Sequence, residues 1–414
     1  MEKVIGITAE YNPFHKGHLH QLETLRHEHG DALFVATLSG AFVQRGMPAL
    51  LDAWTRAEMA VRCGIDLVIE LPVPFCCHNA GVFAESSVAL LKACGCVSAI
   101  SFGMEDEAEL LHRISHILVQ ESSAFKAQLQ DFLKKGFSYA RSRAEATEII
   151  CPGAKALLEK PNNSLAVAYA ESVLRQKAPF ELLPIRRTGA DYRDESSSNE
   201  LMSASGIRAA LAEGRIKTAL DAVPEGSAAV FRGQLNAARA FLDETPLWRA
   251  LRLLLLRSTP ETLRNHAGVT EGIEYRLLEA LPECESFSQF VETVATRRYP
   301  RSRVRRLLVW LLLGLSKDDD ALFQARGPAY IRPLAMSERG RELLKIIRER
   351  GTLPVVSKPA TLGSDAYAQR VFQLGLRASA IRESFLPRPD WKREISAAPF
   401  VAPRQSSFAE APLP

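Results

Sequence analysis

The first part of the chain alternates between two hydrophobic patterns. Short apolar runs at Lys3–Thr8, Ala32–Leu38, Asp66–Leu71, Val97–Phe102 and Phe180–Arg186 read as buried strands. Between the first four lie stretches at about 18–28, 54–63 and 83–93 whose apolar positions recur three and four apart, the mark of amphipathic helices. Strand and helix in strict alternation predict an α/β fold, a doubly wound parallel sheet with helices on both faces. Ligands in such sheets bind beyond the carboxyl ends of the strands, so the residues after Thr8, Leu38, Leu71, Phe102 and Arg186 are the ones to inspect. From about 104 to 175 the strand pattern gives way to helical ones at Glu107–Val119, Ser123–Lys134 and Ser164–Leu174, a helical insertion between the fourth and fifth strands. Beyond about 215 no strong strand pattern remains. Leu247–Leu256, Phe287–Thr296, Arg303–Leu315 and Ser337–Arg348 all read as helices, which predicts an all-α C-terminal domain. The chain thus divides into a sheet domain (1–215), a helical domain (216–386) and a Pro-, Ala- and Ser-rich tail (387–414) expected to be flexible.

Composition narrows this only slightly. Apolar residues make up 47% and charged residues 24% of 414, which excludes a disordered chain. The longest apolar run, Leu307–Leu313, ends at Gly314 and is far short of a membrane span, so no membrane partner is expected. The opening residues lack a secretory pattern, and the 7 cysteines show no zinc spacing: Cys76 and Cys77 are adjacent, and Cys94 and Cys96 are separated by one residue. A reducing cytoplasm and buried thiols are expected. The net charge of +4 hides an asymmetry. Residues 1–200 carry 20 Lys and Arg against 25 Asp and Glu, whereas residues 201–414 carry 32 against 23. The basic half could meet a polyanion.

The sharpest chemistry follows the first strand: Ala9-Glu10-Tyr11-Asn12-Pro13-Phe14-His15-Lys16-Gly17-His18. Two imidazoles three apart at the start of a helix can face one way, where backbone N–H groups and the helix dipole attract anions. Histidines there can donate to a phosphate as charge develops on it. Gly17 lets a nucleotide approach the backbone, and Asn12-Pro13 gives a turn out of the strand. A His/His metal pair is the competing reading, but no nearby cysteine or carboxylate pair completes it, and no metal ligand is assigned.

This stretch resembles the H-x-G-H signature of the adenylyl-transferring nucleotidyltransferases, relatives of the class I aminoacyl-tRNA synthetases. Ser203-Ala204-Ser205-Gly206-Ile207-Arg208, followed by Ala209-Ala210-Leu211, looks like their second element, a hydroxyl-rich turn and helix that grips distal phosphates. In order along the chain come Ser39-Gly40-Ala41-Phe42-Val43-Gln44-Arg45-Gly46, the stretch DLVIELPVP over 66–74, Ser101-Phe102-Gly103, Pro161-Asn162-Asn163 and Arg187-Thr188-Gly189-Ala190-Asp191-Tyr192. Together they resemble the bacterial tRNA(Met) cytidine acetate ligase family, from residue 3 to about 385 and most strongly over 3–104 and 160–210. The resemblance implies a Rossmann-like nucleotidyltransferase domain, use of ATP with Mg2+, and formation of N4-acetylcytidine at the wobble position of elongator tRNA(Met) from acetate.

It also implies an ATP site on Ile7, Thr8, Ala9, Glu10, Tyr11, Asn12, Pro13, Phe14, His15, Lys16, Gly17, His18, Leu19 and His20, with Gly103, one of Asn162 and Asn163, and Arg187, together with Ser203, Ser205 and Arg208 of the second element. His15 and His18 are the catalytic candidates. Gly103 would end a strand where a side chain blocks the nucleotide. Asn162 and Asn163 could each instead cap the helix they precede. Arg187 has a fork suited to phosphate. For acetate the candidates are Arg45 and the backbone of Ser39 and Gly40. Glu10 suits either magnesium coordination or the ordering of a neighbour. Asp52-Ala53-Trp54 stands where many relatives have a lysine, so Lys16 or Arg56 would neutralise phosphate in its place. Cys76-Cys77-His78 raises a nucleophile reading, against which stands simple packing of small residues. In the basic half, Arg297, Arg298, Arg301, Arg303, Arg305 and Arg306 surround Tyr299, a pattern suited to phosphates and a stacked base of tRNA; Arg249, Arg252 and Arg257 mark a second basic helix. The alternative is a small-molecule adenylyltransferase acting on phosphopantetheine or nicotinamide mononucleotide, for which a basic helical domain has no use.

Overall fold

The computed structural model describes residues 2–106, 108–187 and 202–403. All five expected strands form, within two residues of their expected ends: β1 (Val4–Ala9), β2 (Leu33–Ser39), β5 (Leu67–Leu71), β6 (Ala99–Met104) and β7 (Glu181–Arg186). A hairpin of two short strands, β3 (Phe42–Val43) and β4 (Met47–Pro48), follows β2. The main sheet has seven strands in the order β7-β6-β1-β2-β5-β8-β9, the last two being β8 (Pro333–Met336) and β9 (Phe400–Val401). Its first five run parallel. Helices cover both faces, which is why these strands are apolar almost throughout instead of alternating.

On one face pack α1 (Lys16–His29), through Leu22 and Leu25, and α2 (Ala53–Arg62), against Ile5, Ile7, Phe34, Ala36 and Leu38. On the other, after the short α3 (Val73–Cys76), α4 (Ala80–Ala93) covers Val4, Val35, Leu67 and Ile69. The insertion is helical as expected: α5 (Leu111–Gln120), α6 (Ser123–Lys134), α7 (Tyr139–Ile150), α8 (Ala154–Glu159) and α9 (Pro161–Gln176), the last lying beside α4. After residue 201 come α10 (Ala204–Ala212), α11 (Ile216–Asp221), α12 (Glu225–Asn236) and α13 (Thr245–Leu256), then further helices including Phe287–Val294, Arg301–Leu313, Glu338–Arg350 and Ala366–Glu383.

Two findings modify the expected architecture. The second half is not wholly helical: β8 (Pro333–Met336) pairs antiparallel with β5, and β9 (Phe400–Val401) pairs with β8, so the C-terminal half completes the N-terminal sheet. A four-residue strand carries too little periodicity to stand out among helices. Residues 387–403 are likewise part of the fold and not a flexible tail, with a helical turn at Arg393–Ser396 ahead of β9. Residues 404–414 lie outside the described residues, as does the Thr188–Tyr192 part of the motif after β7. Among the described residues, no helix is long and apolar enough to cross a membrane.

Candidate active site

Beyond Ala9 the chain leaves β1 in a tight, buried loop. Tyr11 takes a left-handed conformation (φ 42°), and its ring packs edge-on against Phe14 at 4.8 Å and His18 at 4.8 Å. The Asn12 side chain accepts the Leu50 N–H at 2.7 Å. These contacts make Tyr11, Asn12 and Phe14 the frame of the loop, and they bring His15 to the N-cap of α1. There the two histidines close a reciprocal cap: His15 Nδ1 accepts from the Gly17 N–H (3.0 Å), and His18 Nδ1 accepts from the His15 N–H (3.2 Å). Their rings lie 3.8 Å apart. With both Nδ1 atoms occupied as acceptors, each neutral ring carries its proton on Nε2. The cap therefore fixes two Nε2–H donors side by side. Gly17 is needed for this: a Cβ there would stand 2.8 Å from the His15 ring.

Electrostatics keep these rings neutral. Burial, then the charges of Arg187 and Arg208, push His15 down to about 3. Burial, then His15 and Arg187, hold His18 well below its usual range. Two guanidinium groups thus bear on the imidazole pair, giving a site poised for an anion. Arg208 Nη1 donates to the Asn12 carbonyl (2.6 Å) and Nη2 to Ser205 (3.3 Å), joining the second element to the first. Ser203 caps α10 by accepting the Gly206 N–H, so its hydroxyl serves the helix. The Lys16 N–H donates to the Ala222 carbonyl, while Leu19 and His20 lie half-buried along α1. Arg187 folds across Gly103, where an added Cβ would meet Arg187 Cγ at 3.2 Å. Gly103 thus makes room for the arginine, besides keeping the strand end open.

The two asparagines separate. Asn163 is fully buried; its amide oxygen accepts the Glu105 and Asp106 N–H groups (2.8 and 3.3 Å) and its nitrogen donates to Asp106 (2.8 Å). It builds the turn after β6. Asn162 is half-buried and donates to Glu105. Glu10 accepts the Gln44 N–H at 2.6 Å, which favours the ordering role over the metal role.

Several expectations are corrected. Arg56 cannot neutralise phosphate: it is fully buried and donates to the carbonyls of Leu51 (3.0 Å), Glu10 (2.6 Å), Ser39 (2.8 Å) and Gly40. It ties the ends of β1 and β2 together, a role with no local sequence signal because its partners are backbone. The Cys76 thiol donates to the Phe42 carbonyl at 3.1 Å, and Arg45 is exposed at the hairpin tip. Burial pushes the Cys76 thiol well up and Cys77 up to about 12, which removes the nucleophile reading. The His78 ring packs at a tilt against Trp310, centroids 4.9 Å apart, beside Asp320.

The arginine cluster is only partly a surface. Arg297, Arg298 and Arg301 are exposed; Arg298 lies 3.8 Å from Glu271 and Arg301 pairs with Glu292. Tyr299 is buried, its hydroxyl bound to Thr270, and Arg303 covers its ring at 3.9 Å, so Tyr299 does not stack on a base. Arg305 and Arg306 are half-buried, and Arg306 reaches the Gln44 carbonyl of the hairpin. On α13, Arg249 is exposed and Arg252 half-buried, with Arg257 exposed just beyond its end.

A parallel sheet with two neutral imidazoles capping the helix after its first strand, next to two arginines, defines a nucleotidyltransferase site. In agreement, the HIGH Nucleotidyl Transferase family matches residues 2–395. A tRNA(Met) cytidine acetate ligase of Syntrophotalea carbinolica is 35% identical over 425 aligned positions, covering 99% of this chain and 98% of the relative. One of Acetivibrio thermocellus is 34% identical over 366, covering 86% and 88%. The crystal structure of apo Thermotoga maritima TmcAL superposes with a TM-score of 0.90 at 30% identity, covering 96% of this chain and 99% of that one. The form of that protein bound with alpha-thio ATP gives 0.89 at 30% identity, covering 97% and 100%. The chain belongs to the tRNA(Met) cytidine acetate ligase family.

Proposed function

We propose that this chain uses ATP to ligate acetate to the N4 amine of the wobble cytidine of elongator tRNA(Met), in the cytoplasm. The observation that carries the reading is the pair of fixed, neutral Nε2–H donors at the start of α1, with Arg187 and Arg208 bearing on them. The names of the relatives and the ATP analogue held by the Thermotoga maritima protein support it. An acetate oxygen attacks the α-phosphorus of ATP, the bond to the bridging oxygen breaks, and pyrophosphate leaves. The cytidine N4 then attacks the acetyl carbonyl; the bond to AMP breaks and one proton passes to solvent. In the first step the chain supplies orientation and donors to developing phosphate charge. Nucleotide contacts fall to His15, His18, Arg187, Gly103, Asn162 and the backbone of the loop. Mg2+ would enter with the nucleotide's phosphates, since no three His, Cys, Asp or Glu residues come together for a metal among the described residues. Transfer requires tRNA to be held by the basic half, residues 216–386, through Arg297, Arg298 and Arg301. Incubating the protein with ATP, radiolabelled acetate and bulk tRNA, then digesting to nucleosides, tests this. Label in N4-acetylcytidine is expected; label-free nucleosides reject it.

A further inference from the structure

The face of the sheet opposite α1 carries hydroxyls that the nucleotide contacts leave unused. Thr37 and Ser39 lie two apart on β2, so both leave the same face as Val35, toward α4. Thr8 of β1 stands beside Thr37 in the parallel ladder. Helix α4 crosses here so closely that a Cβ on Gly6 would come within 2.6 Å of Leu91. It returns antiparallel to the strands, so its preceding turn, at Ser87, lies nearer their carboxyl ends. Tyr169 of α9 closes the side, its ring packing on Phe102 at 5.4 Å.

Thr37, Ser39 and Ser87 are fully buried, and their hydroxyls have no hydrogen-bond partner among the described residues. Buried hydroxyls without partners are rare, because each has lost water and gained no replacement. Two on this face of the sheet and one on the helix that covers it, toward the strand ends where ligands of such sheets bind, point to a ligand that completes them. Hydroxyls donate to an acceptor without bringing a charge, and the close approach of α4 to β1 restricts any ligand between them to a small molecule. A short carboxylate has both properties. Of the earlier candidates, Arg45 fits it less well, since it is exposed at the hairpin tip.

We propose that Thr37, Ser39 and Ser87, bordered by Thr8 and Tyr169, form the pocket for the acetate that is activated; this rests on the ligase reading above. The pocket and the imidazole pair then sit on opposite faces of β1 and meet at its carboxyl end, where carboxylate oxygen and α-phosphorus must come together.

The test is acetate-dependent exchange of pyrophosphate into ATP with Thr37→Val and Ser87→Ala. Each should raise the KM for acetate about tenfold or more while the KM for ATP stays within about twofold. Thr37→Ser, which keeps the hydroxyl, should stay near wild type. Removing an unpartnered hydroxyl should leave Tm unchanged or higher, which separates lost binding from unfolding. An unchanged KM for acetate in well-folded variants overturns the pocket, as does a rise confined to the KM for tRNA. If the wild-type protein shows no acetate-dependent exchange, the ligase reading itself fails, and the pocket with it.

Discussion

Two arginine-bearing regions of this molecule differ in what their guanidinium groups face. Arg56 is fully buried and spends its donors on four carbonyls from three segments, none of them charged. Arg297, Arg298 and Arg301 are exposed, and the last two meet carboxylates in water. The first arrangement holds the ends of β1 and β2 in register for chemistry, and its fork geometry matters. In the second, surface ion pairs contribute little to stability and exchange readily for the phosphates of a polyanion. Burial, which the sequence does not display residue by residue, decides whether an arginine is scaffold or contact.

The buried region should fail catalytically and the exposed one should fail only in binding. His15→Ala or His18→Ala removes one of the two fixed donors proposed to face the phosphates. Acetyl-adenylate formation should fall by roughly 10²–10³, with a smaller effect on ATP affinity. Wild-type rates in either variant would refute the phosphate role. Replacing Arg297, Arg298 and Arg301 together by Glu should weaken tRNA binding by roughly a hundredfold at low salt, while pyrophosphate exchange without tRNA stays within about twofold. Equal loss of both activities would mean the cluster is structural and would erase the contrast.

A smaller effect sharpens the comparison within one residue type. Arg56→Lys keeps the charge but presents its donors from a single point, which cannot span carbonyls of Leu51, Glu10, Ser39 and Gly40. Unfolding free energy should drop by about 2 kcal/mol as buried carbonyls lose partners. Arg297→Lys should change it by less than about 0.5 kcal/mol. Urea denaturation of both variants measures the difference.

Much of the sheet was legible because a parallel strand buried on both faces is a continuous apolar run, as in Leu67–Leu71. The histidine pair was legible because strand end, turn and helix start adjoin in sequence. What escaped depends on distant parts of the chain. Pro333–Met336 becomes a strand only because β5 offers it an edge. Asn163 and Asn162 are neighbours, yet only the turn at Glu105 and Asp106 tells them apart. Tyr299 looked like a stacking ring among arginines until Thr270 claimed its hydroxyl. Thr37 and Ser87 carry no sequence signal, because a buried hydroxyl is conspicuous only when its surroundings offer it no partner.

A change of pH also divides the two regions, because it acts on imidazoles and leaves arginines alone. In the folded protein His15 is held down to about 3 and His18 well below its usual range, both chiefly by burial. In the unfolded chain both titrate near 6.5. The folded pKa values are the lower ones, so the unfolded state binds protons first as pH falls. Stability is therefore fully present above about 6.5 and is lost progressively below it, down toward the folded values. At about pH 5.5 the loss should be about 1.4 kcal/mol for each imidazole. The check is urea denaturation at about pH 7.5 and 5.5 for wild type and for His15→Asn with His18→Asn. Asparagine is a good N-cap and does not titrate, so the variant should lose roughly 2–3 kcal/mol less across this interval. Equal pH dependence in both proteins would mean that the imidazoles protonate freely in the folded state. The Nδ1 atoms would then not be held as cap acceptors, and the fixed, neutral imidazole pair of the proposed ATP site would be lost.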